Sequence, residues 1–159
     1  MSEPSIKQTE PMTVAFLPMR GAYRQVPLAL GRLYAWVSQQ GLTPAGMPVA
    51  EYLSNPQVTP EDEALWEVWA PVAEQPGLDE AQPGDAGIGV KRIPAMTVAT
   101  VMHRGPYETM AETYESLGAW VAEQGYVMAG APREAYHSDP AKVPPEEYLT
   151  EVSFPVQRI

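Results

Sequence analysis

The chain has 159 residues, with 10 Lys and Arg against 20 Asp and Glu, and a net charge of −10 at pH 7. That balance argues against a phosphate backbone as a direct partner and favours cationic ligands or basic protein surfaces. The absence of cysteine excludes disulfides, thiolate catalysis and Cys-based metal sites. The two histidines, His103 and His137, lack the spacing of a helical metal pair, so neither a metal nor a cofactor is expected.

The start, Met1 to Glu10, is polar and acidic. It has no basic stretch leading into an apolar run, and nowhere do about 18 uninterrupted apolar residues occur, so a cytoplasmic protein without membrane association is expected. Residues 12–19 are rich in Val, Thr and apolar side chains and end at Arg20-Gly21, a strand followed by a turn. Val26, Leu30, Leu33 and Val37 then recur at spacings of four, three and four, which predicts a helix over about 24–40. Pro27 stands near its start, where a missing N–H costs little, and Gly41 at its stop. A strand over about 47–53, a Pro-punctuated loop from Asn55 to Pro60 and a strand from Leu65 to Val72 complete the unit. Residues 73–89 read as an acidic, Gly- and Pro-rich linker.

The order then repeats. A shift of 84 positions lays residues 6–72 over 90–156 without a gap, with 27 identities in 67 positions. The second copy predicts a strand at 96–103, a helix over 107–124 on Met110, Tyr114, Leu117 and Val121, a strand at 131–137 and a last strand from Leu149. The expected fold is therefore α+β: two tandem strand-helix-strand-strand modules related by a pseudo-twofold axis, with antiparallel strands and one main helix per module. A single repeat is marginal as a domain. The expectation is one domain, 1–159, built of repeats 6–72 and 90–156, with a ligand cleft at their seam.

Each last strand carries one glutamate among apolar residues, Glu67 and Glu151. A carboxylate there is costly unless it meets a polar partner or a ligand. Two readings follow: an anionic site whose aromatic neighbours enclose a lipophilic cation, or a structural role, paired with an arginine such as Arg20 or Arg104 or hydrogen-bonded to backbone and tyrosine. Strand alternation places Trp69 on the face of Glu67, opposite Trp66 and Val68. Tyr52 and Tyr136 lie on the middle strands, and Tyr23 and Tyr107 follow the Arg-Gly turns. Trp36 and Trp120 fall at the edges of the helix faces, and Trp120 is kept with the candidate cleft aromatics. No nucleophile with an adjacent base and no phosphate loop is present.

The second copy runs Val98-Ala99, His103-Arg104-Gly105-Pro106-Tyr107-Glu108, Asp139-Pro140, Pro144-Pro145-Glu146-Glu147 and Leu149-Thr150-Glu151-Val152-Ser153-Phe154-Pro155-Val156. In this it resembles the GyrI-like family, which includes the effector-binding domains of AraC-type and MerR-type multidrug regulators. The resemblance implies paired strand-helix-strand-strand modules and assigns Glu151 to a cationic, lipophilic ligand in an aromatic cleft. Glu67 inherits that role only through the repeat. These residues contain no recognisable helix-turn-helix pattern, so a stand-alone domain is expected. The resemblance leaves three functions open: a stand-alone small-molecule binder, a protein that inhibits DNA gyrase by binding it, and a hydrolase of strained electrophilic genotoxins with Glu151 and Glu67 as its carboxylates.

Overall fold

Apolar alternation bounded by Gly and Pro makes most of the strands, and the structure, a computed structural model, describes residues 3–55, 58–139 and 141–159. Pro56 and Pro140, matched in the repeat, lie outside the described residues. In chain order the elements are β1 (Ser5–Gln8), β2 (Met12–Arg20), α1 (Val26–Gln39), β3 (Val49–Tyr52), β4 (Leu65–Val72), β5 (Gly89–Ile93), β6 (Thr97–Arg104), α2 (Met110–Glu123), β7 (Tyr126–Met128), β8 (Arg133–Tyr136) and β9 (Leu149–Arg158). The α+β class and the two similar modules are as expected. No helix among the described residues is long and apolar enough to cross a membrane.

The chain divides into two compact units, Glu10–Ala95, which contains α1, and Met96–Ile159 together with the residues up to Thr9, which contains α2. In the α1 unit the antiparallel order is β5-β2-β4-β3. The α2 unit has the order β1-β6-β9-β8, with β7 on the far half of β9. The unit boundaries thus differ from the repeat boundaries by one exchanged strand. β1 precedes the first repeat's main strand but pairs with β6, and its counterpart β5 pairs with β2.

Each helix begins with a 3-10 turn, Tyr23–Gln25 or Tyr107–Thr109, so the α-helices start at Val26 and Met110, later than the sequence predicts. Each ends at a glycine in the left-handed region, Gly41 (φ 70°) and Gly125 (φ 81°), where a Cβ would be strained. The buried face is shifted by one position at the second turn. Ala29 and Thr113 are buried where Leu30 and Tyr114 were expected, and the larger pair lies at the edge of the face.

In the α2 unit Met110, Leu117 and Val121 pack with Ala99, Val101, Val152, Phe154 and Val156, and Trp120 and Tyr114 lie against that cluster. Each such buried aliphatic side chain contributes about 1.5–3 kcal/mol relative to exposure. Val152 therefore faces the helix, as the alternation predicted. The two last strands differ on their other faces. β4 is buried along both faces beyond Leu65, whereas β9 alternates, with Glu151 and Ser153 half-buried.

Candidate functional site

Each of the two strand glutamates is held by a lysine. Glu151 accepts from the Lys7 ammonium at 2.7 Å and from the Thr100 hydroxyl at 3.1 Å, and His137 Nε2 stands 3.3 Å away. Burial raises the Glu151 carboxyl, but Lys7, Thr100 and His137 together outweigh it and hold it below its usual range. Glu67, 7 % exposed, pairs with Lys91 and accepts from the Trp69 indole N–H at 2.7 Å. The partners are lysines of the exchanged strands, not Arg20 or Arg104. A shift of 84 turns Lys7 into Lys91, so the first repeat's lysine serves the second repeat's glutamate and the reverse.

The walls of the two pairs differ. The Lys91 ammonium lies 4.3 Å from the Phe16 ring centroid and 5.4 Å from that of Trp69. A carboxylate and two aromatic rings thus surround the protein's own lysine in the α1 unit. The matching positions in the α2 unit are Thr100 and Ser153, whose hydroxyls are 3.1 Å apart. A groove of about 400 Å³ passes Phe16, Lys91 and Glu80, and another of about 470 Å³ passes Thr13, Glu74 and Arg92. In the second groove, hydrogen bonds from Arg92 and Thr13 lower the Glu74 carboxyl to about 2.

The predicted tyrosines gather by unit. In the α1 unit Tyr23 meets Tyr52 edge-on at 4.9 Å and Trp66 at 6.4 Å. In the α2 unit Tyr107 meets Tyr136 at 6.1 Å and Tyr148 at 5.1 Å. Sequence reasoning missed Glu134 here. Its carboxylate accepts from the Tyr114 hydroxyl at 2.6 Å and the Tyr136 hydroxyl at 3.0 Å. Tyr107 remains 42 % exposed, yet burial, then Tyr148 and then the charge of Glu134 push its phenol up. Cross-strand pairing puts Glu134 opposite Val152 and Glu151 opposite Ala135. Glu134 therefore lies on the helix-facing side of the sheet and Glu151 on the other. Trp120 packs against the core cluster.

Around Glu134 the helix-facing side is polar. His103 and Thr150, opposite one another in register, are 5 % and 1 % exposed, and Thr113 is 2 % exposed. His103 Nδ1 is 2.6 Å from the Thr113 hydroxyl, and Nε2 faces the Pro106 carbonyl at 3.2 Å and the Thr109 hydroxyl at 3.1 Å. Because a carbonyl only accepts, the network assigns the proton to Nε2 and lets Thr113 donate to Nδ1. The matching residues of the α1 unit are Met19 for His103, Ala29 for Thr113, Leu30 for Tyr114, Ala50 for Glu134 and Trp66 for Thr150. A search for repeated residues is blind to Glu134 because its counterpart is an alanine. Lys7 and Lys91 were visible as a repeated pair. Among the described residues no group of His, Asp or Glu is arranged to hold a metal.

The family described as the GyrI-like small molecule binding domain matches residues 2–157. A search of curated protein sequences found no match. The EcmrR C-terminal domain is similar in structure, with a TM-score of 0.84 and 24 % identity over 100 % of this chain and 99 % of that one. The EcmrR chain in a complex with DNA gives the same score and identity, but this chain spans only 58 % of its length. A structure described as a hydrolase from Listeria innocua matches with a TM-score of 0.72 and 17 % identity over 98 % of this chain and 92 % of that one. One described as SAV2435 bound to tetraphenylphosphonium matches at 0.57 and 15 % over 98 % and 94 %. At these identities the structural likenesses show the fold.

Proposed function

The chain belongs to the GyrI-like small molecule binding domain family, and we propose that it binds amphipathic aromatic cations at Glu134 in the α2 unit. Glu134 is the counter-charge, and Tyr107, Tyr136 and Tyr148 are the aromatic walls. The observation that carries this reading is a carboxylate held by two phenols, on the side of the sheet that faces α2, with the half-exposed ring of Tyr107 beside it. A cation over such rings gains about 0.5–2 kcal/mol per ring, more as water is excluded. Neutralising a buried carboxylate adds to this.

Glu151 and Glu67 remain candidate ligand groups in this reading. An external cation reaches either only by displacing a lysine, Lys7 at Glu151 or Lys91 at Glu67. Glu151 is the more accessible, since its side chain is 21 % exposed against 9 % for Glu67. Tyr23 and Tyr52 have no carboxylate at the position of Glu134, where the α1 unit carries Ala50. They serve this reading as packing around Trp66.

Tetraphenylphosphonium, the cation described in one structural neighbour, is the first probe. Calorimetric titration of the wild type, Glu134→Gln and Glu151→Gln separates the sites. The expected outcome is a loss of at least about tenfold in Glu134→Gln, equivalent to about 1.4 kcal/mol, with Glu151→Gln close to wild type. Unchanged affinity in Glu134→Gln would refute the placement at Glu134, and a loss confined to Glu151→Gln would move the site to the other face.

A further inference from the structure

Thr150 is a polar residue of the α2 unit that its surroundings leave unexplained. It is 1 % exposed, and its hydroxyl has no hydrogen-bond partner among the described residues. It stands on β9 directly opposite Tyr136 on one side and His103 on the other. Glu134 is its diagonal neighbour on the same face, with Cβ atoms about 7 Å apart in such a pair. The duplicated scaffold supplies a comparison. The α1 unit places Trp66 at this position, equally buried, and satisfies its indole N–H on the Gly21 carbonyl at 2.9 Å. The α2 unit has replaced a filled, satisfied position by a hydroxyl that can both donate and accept.

We infer that the Glu134 site includes a hydrogen-bonding subsite at Thr150, and that its ligands are aromatic cations carrying a hydroxyl or amino group several ångströms from the cationic centre. The inference rests on the binding role of Glu134 proposed above. The class follows from the chemistry: Glu134 takes the charge, the tyrosines take the rings, and the Thr150 hydroxyl requires a partner that a purely hydrocarbon cation does not have. A site that hydrogen-bonds a ligand group discriminates against the analogue lacking it, because the buried polar group is then left unpaired.

A matched pair of probes tests this: tetraphenylphosphonium and its analogue with one 3-hydroxyphenyl ring, titrated against the wild type and Thr150→Val. The wild type should prefer the hydroxylated cation by about tenfold. Thr150→Val, which keeps the side-chain shape, should erase that preference, leave tetraphenylphosphonium affinity unchanged, and unfold at the same or a higher temperature than the wild type. Equal wild-type affinities for the two cations overturn the subsite without touching the Glu134 reading, as does a preference that survives in Thr150→Val. If the wild type binds neither cation, the Glu134 reading fails first and the subsite falls with it.

Discussion

The two units carry the same lysine–glutamate pair and treat it in opposite ways. In the α1 unit Lys91 is enclosed by Phe16 and Trp69 and meets a nearly buried Glu67, while in the α2 unit Lys7 lies 47 % exposed beside hydroxyl-bearing Thr100 and Ser153. The helix-facing sides are reversed. The α1 unit is apolar there, with Met19, Ala29, Leu30, Ala50 and Trp66, and the α2 unit has His103, Thr113, Tyr114, Glu134 and Thr150. The difference teaches that the two copies keep one scaffold and line it differently. One copy encloses its lysine–glutamate pair in aromatic rings, and the other carries polar groups under its helix.

The sharpest way to break that comparison is Trp66→Ala. If Trp66 plugs the α1 unit, its removal should cost about 3–5 kcal/mol of stability, as fully buried tryptophans do, measured by urea unfolding. A cost below about 1 kcal/mol would mean that the position is not a plug. Next come the lysines. Lys91→Met strands a carboxylate that is 9 % exposed and should cost about 2–4 kcal/mol, because the remaining charge is buried without its partner. Lys7→Met breaks an exposed pair and should cost less than about 1 kcal/mol. Equal costs would erase the contrast between the units.

The smallest expected effect is on pH dependence. The folded Glu151 carboxyl titrates below its unfolded value, so its contribution is present above the unfolded carboxyl range, about pH 4.3. It is lost as pH falls through the lower folded value. The stability gap between wild type and Glu151→Gln should therefore narrow as pH falls below about 4.3. A gap that widens on acidification contradicts the Lys7 pairing.

Much of this architecture is legible in the sequence because the repeat spells each long element twice, and the helix stops and the β4 and β9 strands follow from it directly. The missed strands β1, β5 and β7 are three to five residues long. β1, reading Ser-Ile-Lys-Gln, offers too little alternation to announce a strand. Its pairing with β6 bridges some 90 residues, which no local pattern encodes. Glu67 and Trp69 were placed on one face by alternation, and they do touch. Their cation was missed although Lys91 repeats Lys7, because it precedes the strand expected at 96–103 and no element was assigned to it. Glu134 was missed because its counterpart is an alanine, so the signal that exposed the other glutamates was silent for the one nearest the tyrosines.

The exchange of β1 and β5 also bears on how such a chain can be taken apart. A fragment cut in the segment between β4 and β5 would carry Lys7 away from its glutamate and leave Glu67 without Lys91. Each fragment would have an open sheet edge and the strand that closes the other. Such fragments should recover their folds when mixed and aggregate when kept apart. Reciprocal lending of this kind is what a strand-swapped homodimer becomes when its two copies are fused into one chain. Fusion then frees the copies to diverge, since neither must any longer match itself.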